Sequence, residues 1–304
     1  PSNVPVNFAV SMTSSLLAGN CTVVRVSSKP FPQVDLICET MNRLLDGVCS
    51  DMRPYVCVLR YEHSETVTQA LSAMCDVRVI WGGDRTIETI RRAPLPPRAV
   101  ELTFGDRYSV AVIDADAYLE QDPVEIAKKF YTDTYYTDQN ACSSPRLIVW
   151  LGDRVQKARE DFWSALEEIV RRDYPMQPIQ AVDKYSSVCA LAMSRPGIRY
   201  EPGDTLVMRA ELDRLTADVM DYKCGGGCFF EYTARDLEEI VPVLAKRCQT
   251  VAVLGVDRER VRELVFSRGV RGVDRIVPLG GTMELSFIWD GFKMVEGMSR
   301  YVYG

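Results

Sequence analysis

The feature that most constrains the fold is the close alternation of short β runs with amphipathic helical runs along the 304 residues. Helical spacing of Val6, Ala9, Val10, Leu16 and Leu17 predicts a helix stopped by Gly19, and TVVRV reads as the strand that follows. Pro32 opens a second helix that runs through Leu45 to Gly47, YVCVL is the next strand, and Ser64 caps a helix reaching Met74. VRVIW then leads through Gly82 and Gly83 into the short helix TIETIRR. Strands joined by crossover helices lie parallel, which predicts a Rossmann-like α/β sheet that takes ligands at the carboxyl ends of its strands.

The PLPP run at Pro94–Pro97 interrupts this rhythm and predicts a boundary. Beyond it come the strands AVELTF and SVAVID, a helix from about Pro123, the strand LIVWLG and an amphipathic helix over Arg154–Arg172. A helix over Ala234–Arg247, the strand TVAVL and a helix from Asp257 complete a second α/β region. The expected organisation is a cofactor-type domain over 1–97, a second α/β domain over 98–287 and a C-terminal segment over 288–304 that returns to the junction.

Composition narrows the function classes. With 47% hydrophobic residues the chain has material for real cores, and its 36 basic against 42 acidic residues are scattered, for a formal charge of −6. This argues against disorder and against a dedicated binder of nucleic acid or anionic membrane. No apolar run approaches the roughly 20 residues of a membrane span, so the expectation is a soluble, cytoplasmic protein. Several of the ten cysteines sit inside apolar runs (Cys38, Cys57, Cys189), which reads as reduced thiols. Cys224 and Cys228 in CGGGC have no second pair at finger spacing and the sole histidine, His63, is distant, so no metal site is expected and His63 reads as a structural helix-entry residue. The chain lacks an initiator Met and has no basic residues ahead of its first apolar stretch, so a removed N-terminal segment is expected and a signal peptide is not.

Cys142 differs from the other cysteines by lying in a polar connector, DQNACSSP, between a helix and a strand. A loop on a rigid scaffold is where a reactive thiol gains access and a stabilised thiolate. With no histidine nearby, the residues alone favour a small, semi-buried structural cysteine, and a Cys-His-Asn protease is disfavoured. Gly82 and Gly83 end a strand and introduce a helix, where backbone can approach a pyrophosphate or simply turn; Asp84 beside them reads as a helix cap.

Three separated motifs then carry a resemblance. NVPVNF with LLAGNCTVVRVSSKPFP, DQNACSSPR and GTMELSFIWDGFKMVEGMSR occur in the order of the cofactor-domain entry, nucleophile loop and terminal motif of the aldehyde dehydrogenase superfamily. Within it, VVRVSSK, VIWGGDRTI, DQNACSSP and IWDGFKM are most similar to LuxC-like long-chain acyl-CoA reductases. The resemblance implies an aldehyde dehydrogenase-like fold and NADPH-dependent reduction of a fatty acyl thioester, from coenzyme A or an acyl carrier, through a Cys142 acyl-enzyme. It implies that the Asn7 amide and the backbone N–H of Cys142 meet the oxyanion, although Asn before a helix also serves as a cap. Arg25 falls where the superfamily has a basic residue near the adenosine ribose, with Ser27, Ser28 and Lys29 close behind, and its guanidinium suits a 2′-phosphate; a solvated strand-end charge is the other reading. Glu101 aligns with the carboxylate that activates water in oxidising members, but its ELTFGDR context departs from the usual one. The superfamily's later glutamate motif is replaced by CGGGCFFEY, from which no residue carries over and where Gly225–Gly227 reads as a flexible turn. Lys293 in DGFKM is expected to be structural. A homo-oligomer and an acyl-transferase or synthetase partner subunit are the expected associations. The competing readings are an NAD(P)-dependent aldehyde dehydrogenase and a non-catalytic acyl-transfer subunit.

Overall fold

The computed structural model describes residues 4–195, 197–201, 203–222 and 225–304. The chain separates into two compact units, residues 1–106 with 285–304 and residues 107–284.

In the first unit the order is α1 (Asn7–Leu17), β1 (Thr22–Val26), α2 (Pro32–Asp46), β2 (Val56–Arg60), α3 (Glu65–Met74), β3 (Val77–Trp81), α4 (Asp84–Arg91) and β4 (Val100–Phe104). Local chemistry explains the boundaries: Pro32 begins α2 with its missing N–H where no helical partner exists, and the Ser64 hydroxyl accepts from the Val67 N–H at the start of α3. The expected single sheet is instead two parallel pairs, β1 with β2 and β3 with β4, each closed by its own crossover. In β1 the alternation sends Val24 and Val26 inward, where they pack with Phe8, Met12 and Val34.

The first boundary also moves. Residues Val100–Phe104 pair in register with Val77–Trp81, so Pro94–Pro97 belongs to the crossover of one β pair, and the division falls after Asp106, not after 97.

The second unit is built on one seven-stranded sheet. In chain order it contains β5 (Tyr108–Asp114), α5 (Ala115–Tyr118), α6 (Pro123–Thr134), β6 (Pro145–Leu151), α7 (Val155–Asp173), α8 (Pro178–Ser194), β7 (Arg199–Glu201), β8 (Met208–Glu211), β9 (Cys228–Thr233), β10 (Cys248–Leu254), α9 (Arg258–Ser267) and β11 (Arg275–Pro278). The spatial order is β11-β10-β5-β6-β9-β8-β7, parallel throughout except for the edge strand β7. Parallel strands covered on both faces need continuous apolar runs, and β5, β6 and β10 have them. Ala111 and Ile113 serve one face with Phe130, Phe162 and Trp163, while Val110 and Val112 serve the other with Leu212, Ile240 and Val261. The helix expected over Ala234–Arg247 is only a 3₁₀ stretch, Leu237–Val243, because Pro242 inside it cannot continue an α-helix.

After Glu284 the chain rejoins the first unit as the hairpin β12 (Ile288–Trp289) and β13 (Phe292–Lys293), followed by α10 (Met294–Gly297). Trp289, Met294 and Met298 pack there against Leu102 and Phe104. No helix of the described residues is long and apolar enough to cross a membrane.

Candidate active site

Cys142 lies at the amino end of β6, in the loop that α6 delivers through a short 3₁₀ turn, Tyr135–Thr137. Asp138 and Gln139 then both take left-handed backbone angles, φ 52° and 55°, which reverse the chain into the sheet. Cys142 is half-buried between buried Ala141 and Ser143, so its side chain is neither sealed in the core nor fully exposed. The Ser109 hydroxyl, on β5, donates to the Cys142 carbonyl at 2.7 Å. The Gln139 side chain is fully buried and bonded to backbone on both sides of the loop. The Asp138 carboxylate accepts from the Tyr174 hydroxyl at 2.7 Å and from the Gln180 amide at 3.3 Å.

The glycine run beside this loop is not a flexible turn. The Gly226 N–H donates to the Asp138 carbonyl, and a Cβ on Gly227 would lie 2.3 Å from the Tyr135 hydroxyl oxygen and 2.4 Å from the Leu206 carbonyl oxygen. With φ 91° as well, Gly227 is required by both backbone angle and space. The buried Lys184 ammonium on α8 donates to the Gly226 and Thr205 carbonyls behind it. Cys224 lies outside the described residues, and among those described no group of three potential ligands could hold a metal.

Other thiols are placed differently. Burial pushes the Cys248 thiol up to about 12 and raises those of Cys38 and Cys75, so these resist ionisation. Cys57 and Cys189, although they lie in apolar runs of the sequence, are exposed, and no disulfide joins the described cysteines. At the end of α6, Asp133 accepts from the N–H groups of Gly280 at 2.6 Å and Thr282 at 3.1 Å; burial outweighs these bonds and raises its carboxyl to about 6.

The remaining site candidates belong to the first unit. Asn7 is the first residue of α1, not its cap, which is Val6; its side-chain amide bonds to none of the described residues. Arg25, near the carboxyl end of β1, is exposed, donates to the Tyr61 carbonyl at 3.2 Å and stacks over the Tyr61 ring at 4.8 Å. Ser27 accepts from the Lys29 N–H at 3.2 Å, so Arg25, Ser27, Ser28 and Lys29 gather two cations and two hydroxyls at one strand end. This cluster fits an anionic group such as a ribose phosphate. The Gly82–Gly83 turn fits a pyrophosphate poorly: the Asp106 carboxylate accepts from the Asp84 N–H, Asp84 accepts from the Asp106 N–H, and a Cβ on Gly83 would meet Asp106 at 3.1 Å. Two carboxylates at that helix start disfavour a second anion. Asp84 therefore bonds at the turn but as the first helical residue, with Gly83 as the cap.

Glu101 is already occupied. On β4 it faces Arg78 of β3; Arg78 Nε donates to its Oε2 at 2.9 Å and Arg91 Nε to its Oε1 at 2.6 Å. Burial opposes ionisation, but the hydrogen bonds and charges of Arg91 and Arg78 outweigh it and hold the carboxyl below its ordinary range. A carboxylate held on both oxygens is an ion-pair partner, in keeping with the departure of its ELTFGDR context from that of a water-activating base. Lys293 is exposed and paired with Glu296, and His63 is exposed just ahead of the α3 cap.

A polar hollow of about 500 Å³ lies at the carboxyl ends of β8 and β9, lined by Glu211, Asp213, Tyr232 and Arg235 among others. Cys142 stands at the amino end of the neighbouring β6, so the hollow is not the surroundings of this thiol.

Comparison with known proteins gives this geometry a context. Residues 1–198 match the family model described as acyl-CoA reductase (LuxC). A long-chain acyl-protein thioester reductase of Aliivibrio fischeri is 24% identical over 314 aligned residues, covering 99% of this chain but 61% of the relative, so the chain spans about three fifths of that protein's length. Among solved structures, PnpE in complex with nicotinamide adenine dinucleotide aligns with TM-score 0.67 at 14% identity, over 97% of this chain and 66% of that one. An NAD-dependent aldehyde dehydrogenase from Sinorhizobium meliloti aligns with TM-score 0.65 at 16% identity, over 96% and 60%. The fold is thus mixed α/β with a parallel-rich sheet, similar to that of aldehyde dehydrogenases.

Proposed function

The chain belongs to the acyl-CoA reductase (LuxC) family, and from that premise we propose that it reduces a long-chain acyl thioester to the aldehyde through an acyl-enzyme on Cys142. The observation that carries this reading is a half-buried thiol held in a loop whose backbone is tied at both flanks and at its centre. The Cys142 thiolate attacks the acyl carbonyl; the tetrahedral intermediate collapses and the carrier thiolate leaves, taking up a proton. The acyl group is now a thioester of Cys142. A reduced nicotinamide dinucleotide, NADPH by the charge at Arg25, would be held by Arg25, Ser27, Ser28 and Lys29 and would supply the hydride. The resulting thiohemiacetal oxyanion collapses, the carbon–sulfur bond breaks, and aldehyde and Cys142 thiolate separate. A thiolate suits both halves because it is a strong nucleophile and a competent leaving group. The Cys142 backbone N–H and the Asn7 amide are the proposed donors to the oxyanion; loss of one such donor costs roughly 10²- to 10³-fold.

Glu101 favours this direction over oxidation of an aldehyde to an acid. With both oxygens engaged by Arg78 and Arg91, it is not available to activate the water that an oxidative route requires. The acyl donor is coenzyme A or a carrier protein, and a homo-oligomer with an acyl-transferase or synthetase partner would supply it. Intact-mass measurement after incubation with acyl-CoAs of graded chain length tests the reading. One acyl group should add to the wild type and none to Cys142→Ala, with NADPH-dependent aldehyde formation lost by at least about 10³-fold in the variant. Acylation that persists in Cys142→Ala removes the assignment, and a wild type that acylates without consuming NADPH favours an acyl-transfer subunit.

A further inference from the structure

Gln139 grips the loop around Cys142 from within the fold. It is completely buried, three residues before Cys142. A neutral primary amide has two N–H donors and a carbonyl oxygen with two lone pairs, and here all four are engaged. Oε1 accepts from the N–H groups of Gly227 and Cys228, each at 3.1 Å. Nε2 donates to the carbonyls of Pro145 at 3.0 Å and Cys228 at 3.1 Å. The bond to Pro145 closes the loop 139–145, with Cys142 at its midpoint. Ser109 holds that midpoint by its bond to the Cys142 carbonyl. The left-handed backbone at Asp138 and Gln139 completes the loop's fixed course, and the glycines 225–227 let the β9 approach come close enough to be gripped.

We propose that Gln139, assisted by Ser109, is the positioning residue that fixes where the Cys142 thiol and its backbone N–H stand. The inference rests on Cys142 being the acylated nucleophile. Only a neutral amide of this length meets two donors and two acceptors at once. A glutamate satisfies the two N–H groups but turns its second oxygen on two carbonyls, and an asparagine is too short to span them. Covalent attack tolerates little displacement: about 1 Å of misplacement costs on the order of 10²-fold in rate.

The test is pre-steady-state acylation by hexadecanoyl-CoA, read by quenched intact mass, in wild type, Gln139→Glu and Ser109→Ala, with thermal unfolding recorded for each. The expected result is a maximal acylation rate lowered about 10²-fold in Gln139→Glu and several-fold in Ser109→Ala. The half-saturating acyl-CoA concentration and the fraction of protein acylated should stay near wild type. The Gln139→Glu rate, taken relative to wild type at the same pH, should recover as pH falls, because a protonated carboxyl again donates to one carbonyl. A purely structural role would lower the acylated fraction and leave the rate constant unchanged, which overturns the proposal, as does a folded Gln139→Glu protein with the wild-type rate and pH profile. If Gln139→Glu does not fold, Ser109→Ala decides: a reduced rate constant supports the proposal and a wild-type one overturns it. A wild-type protein that never acylates at Cys142 defeats the functional reading itself and, with it, this proposal.

Discussion

The two units solve different problems with the same α/β vocabulary. In the second, seven strands form one sheet buried on both faces, and the candidate nucleophile emerges at the amino end of a central strand, in a loop held by one buried amide and a serine hydroxyl. In the first, four strands form two separate parallel pairs, and the groups suited to a cofactor stand at a strand's carboxyl end, the basic ones exposed and the hydroxyls half-buried, with few contacts to hold them. The difference matches the chemistry proposed for each site. Bond formation requires a fixed distance and angle, whereas attraction between a guanidinium and a phosphate declines gradually with distance and tolerates a mobile side chain.

The two loops differ most sharply at glycine. Gly227→Ala places a Cβ against the Tyr135 hydroxyl and the Leu206 carbonyl at a positive φ, and should destabilise the second unit by about 3 kcal/mol or more in urea unfolding. Gly83→Ala, where the nearest atom is a movable carboxylate oxygen at 3.1 Å, should cost under about 1 kcal/mol. Equal costs would contradict the claim that only one of the two loops is rigidly packed.

A second contrast lies in pH. The Asp133 carboxyl is raised to about 6 in the folded chain, so between about pH 4 and pH 6 the folded state keeps a proton that the unfolded chain has released. Its contribution to stability is therefore lost as pH rises through that window, by roughly 2–3 kcal/mol, and Asp133→Asn should remove this slope. Glu101 has the opposite sign: held low by Arg91 and Arg78, it stabilises above the ordinary carboxyl range and loses that stabilisation as pH falls. Unfolding of wild type, Asp133→Asn and Glu101→Gln from pH 4 to 7 checks both directions. Slopes of the same sign at the two sites would refute the assignment.

The smallest effect is expected where contacts are fewest. Arg25→Ala should weaken NADPH binding by roughly tenfold and NADH binding by less, measured by fluorescence titration, since one charge-assisted contact is worth about 1.5 kcal/mol. Equal losses for the two cofactors would mean that Arg25 does not meet a 2′-phosphate.

Much of the element order was legible because its signals are local. The alternation in β1, the apolar runs of β5 and β10, and Pro123 at the start of α6 each declare themselves within a few residues. Some signals were present and misweighted. Pro242 interrupts the helix expected over 234–247, and Pro178 starts α8, where Gln180 accepts from the Gln177 N–H once the turn has formed. Cys142 stood out as a cysteine in a polar connector. Gln139 did not, because in sequence it is one polar residue among several, and its partners at Gly227 and Cys228 lie almost ninety positions away.

By itself, then, the sequence determined which segments become strands and helices, and which thiol sits in a loop, because backbone propensity, capping and apolar period act over one or two turns. Only the tertiary structure decided that the first unit's strands pair as two couples, that Glu101 is spent on Arg78 and Arg91, and that Gln139 closes the loop around Cys142. Those outcomes depend on which distant groups arrive within hydrogen-bonding distance, and that is settled by the packing of the whole sheet and not by any residue's neighbours in the chain.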